Sequence, residues 1–77
     1  MTSETQIDAR GHRCPVPTLK LRKALAEAAA GTRVCLLADD PMARIDVPHF
    51  AAQNGYVVES LEETAGGLRF IVLKPAA

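Results

Sequence analysis

The sequence has few aromatic residues and no net charge. Its 77 residues include one Tyr, two Phe and no Trp, and nine basic side chains balance nine acidic ones. Without a basic surplus there is no long-range field to draw the protein to nucleic acid, and few rings are available to stack on bases. The composition therefore argues against a nucleic-acid partner, including RNA bound by a small α/β domain.

Cysteine is also scarce. Cys14 and Cys35 are too far apart for a redox pair with two intervening residues, and two cysteines are too few for a metal cage. His12 and His49 show no ligand spacing relative to them, so we expect neither a metal nor a cofactor. The polar segment 1–6 has no apolar run behind it, so we expect no secretory signal and no membrane anchor. These features predict a cytoplasmic protein with free thiols.

The apolar pattern predicts one domain over residues 1–77, with a flexible tail at 1–4. Alternating residues indicate strands, apolar residues at spacings of three and four indicate helices, and glycines mark the ends. One helix contains Pro48, which we place in its first turn, after a cap at Asp46, to avoid a proline in mid-helix. The predicted strands are 5–9, 33–38, 56–61 and 68–74, and the predicted helices are 15–30 and 46–54.

This order of elements predicts the fold class. A strand, a helix and a second strand form a parallel pair with a crossover, and the glycine-containing loop 63–67 suits a hairpin. The expected fold is a two-layer α/β (α+β) sandwich of order strand-helix-strand-helix-strand-strand, with both helices on one face of a four-stranded mixed sheet. Because Phe70 and Ile71 cannot both point at the helices, some apolar side chains must lie on the open sheet face.

The segment around Cys14 is the most unusual part of the sequence. Pro15 suits the first position of a helix, which makes Cys14 the predicted cap, and Pro17 removes another amide that has no partner within the helix. Val16 is strained because it precedes a proline. Pro15, Val16 and Pro17 thus form a rigid helix start that favours a functional interpretation of Cys14.

A sulfur at a helix start lies at the positive end of the helix dipole and can accept a hydrogen bond from a free backbone amide. Both effects lower the pKa of the Cys14 thiol and favour the nucleophilic thiolate. The alternative is that Cys14 is a small buried apolar residue, as free cysteines often are. We apply that alternative to Cys35, which lies in an apolar strand and is predicted to be inert.

Several neighbours are candidates for tuning the thiol or for docking a partner. His12 is a candidate base for Cys14. Val16 and Leu19 are predicted to form an exposed apolar spot edged by cations, which is either an ordinary solvated helix face or a surface for an acidic protein. Asp39-Asp40-Pro41 is interpreted as a turn and Asp8 as a strand end. The tuning and docking candidates are Arg10, His12, Arg13, Leu19, Lys20 and Lys23.

In their order and spacing, these residues resemble the TusA family of sulfur carriers, also known as SirA-like or YedF-like proteins. The resemblance covers most of the chain, although each motif alone is weak. His12 departs from the family pattern, in which leucine often follows the glycine. The matching segments are Asp8-Ala9-Arg10-Gly11, Cys14-Pro15-Val16-Pro17, 20–25, Gly31, Asp39-Asp40-Pro41-Met42-Ala43, Asp46-Val47-Pro48 with Phe50, Gly55 and Phe70-Ile71-Val72-Leu73-Lys74.

The resemblance implies that Cys14 accepts sulfane sulfur as a persulfide from a donor such as a cysteine desulfurase. The sulfur then passes to a downstream acceptor protein, in pathways that include tRNA thiolation, molybdenum cofactor maturation and sulfur oxidation. Such activity is that of a sulfur-relay sulfurtransferase. The competing interpretation is a non-catalytic interaction or regulatory module that uses the first helix start and the open sheet face.

Overall fold

The computed structural model describes residues 4–13 and 16–76, and its two helices pack on a four-stranded mixed sheet. The predicted fold class is confirmed. The roles predicted for Cys14 and Pro15 lie outside the described residues, as do residues 1–3 of the expected tail, whereas residue 4 belongs to a strand. The elements are β1 (Glu4–Asp8), α1 (Val16–Glu27), β2 (Arg33–Ala38), α2 (Ala43–Asn54), β3 (Val57–Thr64) and β4 (Gly67–Leu73).

The strand order in the sheet is β1-β2-β4-β3. β1 pairs parallel with β2, placing Ile7 opposite Leu36, and β4 pairs antiparallel with both β2 and β3. The hairpin is tighter than predicted, because Thr64 still pairs with Gly67 and leaves a turn of only Ala65 and Gly66. Because β1 and β2 are parallel and in register, their carboxyl ends lie side by side at the same end of the sheet.

The core lies between the helices and one face of the sheet. Leu21 and Leu25 of α1 are fully buried against a cluster that includes Leu36 of β2 and Phe70 of β4. Alternate residues of a strand share a face, so Leu68, Phe70 and Val72 all point to the helices. Each fully buried large side chain of this kind contributes about 1.5–3 kcal/mol.

The second helix starts earlier than predicted. α2 begins at Ala43, so Pro48 lies inside the helix instead of in its first turn. The Asp40 side chain accepts the Met42 amide at 2.9 Å and turns the chain before the predicted cap. Ala43 and Val47 of this helix are buried on the core side, so the added first turn packs on the same face as the rest of α2.

The first helix ends earlier than predicted. α1 stops at Glu27, three residues before Ala30. The Lys74 ammonium donates to the Leu25 and Ala28 carbonyls, at 2.8 Å each, and so supplies hydrogen-bond donors to carbonyls at the end of the helix. Gly31, with φ of 87°, then turns the chain toward β2.

The other sheet face is not covered by the helices. By alternation this face carries Arg33, Cys35 and Leu37 of β2, together with the half-buried Ile71 and Leu73 of β4. Outward-facing apolar residues are thus present, as predicted. Among the residues described, no helix is long and apolar enough to cross a membrane.

Candidate functional site: the loop before Cys14

The segment that leads to Cys14 is held by a carboxylate from another strand end. The Gly11 amide donates to both oxygens of Asp39, at 3.0 and 2.9 Å, although the two residues are 28 positions apart in sequence. Gly11 has φ of 86°, which glycine adopts without strain. Since β1 and β2 are parallel, their following loops meet at the same sheet edge, and Asp39 fastens one loop to the other.

Arg10 closes the end of β1 through its own neighbour. Its side chain donates to the two Asp8 carboxylate oxygens at 2.9 and 2.7 Å, and its amide donates to the same carboxylate at 3.1 Å. The Arg10 side chain and amide lower the pKa of Asp8 from 3.8 to about 2. In return Asp8 raises the pKa of Arg10, with a smaller contribution from the charge of Asp39. Arg10, expected as a tuning residue, is therefore tied to Asp8.

The two neighbouring aspartates have different tasks. Asp39 points back to Gly11, whereas the Asp40 side chain accepts the Met42 amide and its carbonyl accepts the Ala43 amide at 3.0 Å. The predicted turn is present at Asp40. The role of Asp39 was missed, because the contact depends on which loops the sheet brings together; the signal was the parallel pairing of the two preceding strands.

The start of α1 presents apolar side chains to solvent. The Val16 amide donates to the Arg13 carbonyl at 2.9 Å, which joins the loop to the helix across residues 14 and 15. Pro17 is buried, Val16 is 37% exposed and Leu19 is 52% exposed. The exposed apolar spot expected beside Cys14 thus lies on the surface.

The second helix adds apolar surface that was not predicted. Met42 and Ile45, at its start, are 49% and 63% exposed. Leu19 and Asp46 line a shallow groove between the two helices. Exposed apolar side chains therefore occur at the starts of both helices.

The other predicted residues separate into two places. His12 and Arg13 are exposed and line a depression together with Asp39 and Pro41, so they stay at the Cys14 loop. Within the described part of the chain, the His12 ring has no hydrogen-bond partner to orient it. Across the helix, Lys20 and Lys23 line a different groove, between α1 and β1, whose floor includes Ile7 and Ala24.

The part of the chain that the structure describes contains no group of side chains that could bind a metal ion. Over residues 4–13 and 16–76, no three His, Cys, Asp or Glu side chains lie close enough together to hold an ion.

Comparisons with known proteins match this chain over most of its length. Residues 5–74 match the family model described as sulfurtransferase TusA. The sulfur carrier protein TusA of Pseudomonas entomophila is 34% identical over 73 residues, which cover 95% of this chain and 91% of that protein. A candidate sulfur carrier of Methanocaldococcus jannaschii is 38% identical over 69 residues, covering 90% and 92%. The crystal structure of a SirA-like protein from Desulfitobacterium hafniense superposes with a TM-score of 0.76 at 33% identity, covering 88% of this chain and 92% of that one.

The fold and the loop define a small α/β protein in which a cysteine-bearing loop follows the first of two parallel strands and leads into a helix. The family match spans nearly the whole of that fold. This chain belongs to the sulfurtransferase TusA family, which confirms the resemblance seen in the sequence.

Proposed function

We propose that this protein is a sulfur carrier that accepts sulfane sulfur as a persulfide on Cys14 and relays it to an acceptor protein. The observation that carries the proposal is the fastening of the preceding loop: the Gly11 amide is held by Asp39, and the Arg13 carbonyl accepts the first amide of α1. In the sequence, Cys14 therefore lies between this segment and the start of α1 at Val16. A thiol near a helix start is favoured as thiolate, which is the nucleophile in sulfur transfer.

The transfer consists of two exchange steps with no net redox change. The Cys14 thiolate attacks the outer sulfur of a donor persulfide; a new sulfur–sulfur bond forms, the donor's bond breaks, and the donor leaves as a thiolate. An acceptor thiolate then attacks the outer sulfur on Cys14, and Cys14 leaves as a thiolate. The proposed donor is a cysteine desulfurase or another persulfide protein, and acceptors in tRNA thiolation are among those that the resemblance implies.

Partner docking is proposed at the helix start. Val16 and Leu19 supply exposed apolar area, and Arg13 and Arg22 add positive charge to that surface. Complementary charge on an acidic partner would speed encounter and fix orientation more than it would tighten binding. Lys20 and Lys23 lie in the groove beside β1, so in docking they would contact the flank of the partner. We place this relay in the cytoplasm, where thiols remain reduced between transfers.

The test is persulfide loading measured by intact mass. Reduced wild type, Cys14→Ser and the matched control Cys35→Ser are incubated with a cysteine desulfurase and cysteine. We expect wild type and Cys35→Ser to gain one sulfur atom that dithiothreitol removes, and Cys14→Ser to gain none. If wild type stays unmodified with a panel of desulfurases and with polysulfide, the carrier function is wrong.

That negative result would favour the alternative, an interaction module that uses the start of α1 and the open sheet face. The open face has some support as a binding surface, because Ile71 and Leu73 are only half-buried and Val57, on the neighbouring strand, is 46% exposed. Partner binding by such a module would survive Cys14→Ser. Loss of partner function in Cys14→Ser would contradict it.

A further inference from the structure

The contact between Gly11 and Asp39 joins the Cys14 loop to the end of β2. An amide that donates to an ionised carboxylate makes a stronger and more directional bond than one that donates to a neutral oxygen. Here one amide lies within 3.0 Å of both oxygens, so the carboxylate faces the loop with its full acceptor edge. Gly11 is three residues before Cys14, so its placement sets where the chain enters the thiol-bearing segment.

Asp39 is itself held from behind by the hairpin. A Cβ on Gly67 would lie 2.5 Å from the Ala38 carbonyl oxygen, 3.0 Å from the Asp39 Cα and 3.1 Å from its Cβ. The start of β4 thus lies so close to the backbone of Asp39 that only glycine fits at position 67. A rigid backbone behind the carboxylate limits where it can hold the loop.

The charge of Asp39 does not by itself help the thiol. A negative charge beside a cysteine disfavours the thiolate, so an electrostatic role would act against activation. Arg10 is close enough to feel the field of Asp39 and offsets part of that field. The contribution of Asp39 is therefore to hold the loop in position. Experiments can distinguish this effect from the effect of the Asp39 charge on the thiol.

We propose that Asp39 is a positioning residue for sulfur transfer, which acts through the Gly11 amide to hold the Cys14 loop in the orientation that a protein donor requires. This inference rests on the proposed function. It separates two rates: attack of Cys14 on a small reagent, which needs only a thiolate, and transfer from a donor protein, which also needs a fixed orientation.

The experiment compares Asp39→Asn, Asp39→Ala and the control Glu27→Ala, which removes a carboxylate near the far end of α1. In Asp39→Ala we expect sulfur transfer from a persulfidated desulfurase to slow by about tenfold or more, because misplacement of a reacting group is costly. Asp39→Asn keeps an acceptor oxygen and should stay within about threefold of wild type. Glu27→Ala should match wild type.

Two further measurements separate the reactivity of the thiol from the position of the loop. Alkylation of Cys14 by iodoacetamide, followed across pH, should keep its rate in Asp39→Ala or shift toward lower pH, since a negative charge is lost. The Gly11 amide resonance in NMR should move upfield in Asp39→Ala and much less in Asp39→Asn, because the charged acceptor is gone in both but an oxygen remains only in the latter. Gly67→Ala changes no charge, but it crowds Asp39 and strains the start of β4, where φ is 131°; we expect it to slow protein-to-protein transfer but not alkylation.

The inference is overturned if Asp39→Ala loses the Gly11 hydrogen bond and still accepts sulfur from the donor protein at the wild-type rate. It is also overturned if Asp39→Asn and Asp39→Ala are equally slow, since then the charge and not the hydrogen bond matters. If Asp39→Ala does not fold, Asp39→Asn and Gly67→Ala decide the question by the same rates. Failure of wild type to take up sulfur would count against the proposed function, whereas the alkylation and NMR data would still report on the loop.

Discussion

At the end of β1, Asp8 and Arg10 form an ion pair two residues apart in the sequence. The pair is bidentate, and both side chains are about half exposed, at 53% and 49%. Solvent screens charges at such exposure, so the pair adds little to overall stability. Its local effect is larger, because three hydrogen bonds to one carboxylate fix the turn from which Gly11 follows.

The Asp8–Arg10 pair predicts a dependence of stability on acid. Asp8 has a folded-state pKa of about 2, below its usual 3.8. Its contribution is therefore fully present above pH 3.8 and is lost as the pH falls toward 2. Asp8→Asn should show a smaller loss of unfolding free energy over this range than wild type, measured by urea unfolding at each pH.

The matched variant is Arg10→Gln, which removes the cation and leaves the carboxylate. It should show the same reduced acid dependence as Asp8→Asn, and the double variant should add nothing further. The differences should also shrink in high salt. If Asp8→Asn and wild type lose stability in parallel down to pH 2, the pair does not lower the pKa of Asp8 in solution.

Residues of the site differed in how well they could be predicted. Cys14 stands out from local chemistry, because prolines follow it at a helix start. Arg10 stays a candidate for tuning the thiol or for docking, and its guanidinium forms an ion pair with Asp8. Asp39 could not be found locally, because its partner Gly11 lies 28 positions away and the two meet only when β1 and β2 pair.

At the level of elements, the end of α1 depends on a side chain from the far end of the chain. Lys74 follows β4, and its ammonium donates to the carbonyls of Leu25 and Ala28. The last carbonyls of a helix have no partners within it, and a cation there also interacts favourably with the helix dipole. Lys74 thus connects the last strand to the first helix.

Replacement of Lys74 by Met should therefore destabilise the protein. The variant keeps the apolar stem but leaves two partly buried carbonyls without the ammonium, so we expect a loss of about 1.5–3 kcal/mol in the free energy of unfolding. Lys23→Met, on the exposed side of the same helix, should change it by less than about 0.5 kcal/mol. Both are measured by denaturant unfolding; an equal, small effect of the two variants would contradict the capping role.

Element types were predictable where local pattern decides, and element ends were not where tertiary contacts decide. Alternation and helical spacing gave correct types because they reflect burial of one face. The end of α1 depends on Lys74, and the start of α2 depends on the buried contacts of Ala43. Pro48 misplaced the start of α2, because the start is set by the Asp40 turn and by burial of Ala43, which a local rule on proline does not register.

At the scale of the molecule, the two faces of the sheet have different environments. One face buries Val34, Leu36 and Phe70 under the helices, whereas the other carries the ion pair Arg33–Glu59 around its apolar residues. The fold class follows from element order alone, since a strand-helix-strand unit gives a parallel pair and a hairpin an antiparallel one. The insertion of β4 between β2 and β3 does not follow from element order.

Cys35 links this asymmetry to the chemistry of the carrier. It is 1% exposed, as expected of an inert residue, yet by alternation it lies on the open face, outside the cluster under the helices. Its cross-strand neighbours on this face are Gln6 on β1 and Ile71 on β4. Because Cys35 is only 1% exposed, a reagent reaches this thiol only when the structure around it opens.

Labelling of Cys35 should therefore be slow in the folded protein. In Cys14→Ser, alkylation under native conditions should be slower than in the unfolded chain by about 10³ or more, and should rise with denaturant in step with the unfolding equilibrium. Cys35→Ser, as the control, should be labelled rapidly at Cys14 alone. Rapid native labelling of Cys35 would mean that the open face loosens locally. The Cys35 thiolate would then be available to attack the inner sulfur of a Cys14 persulfide, forming a disulfide and releasing hydrosulfide, in competition with relay to another protein.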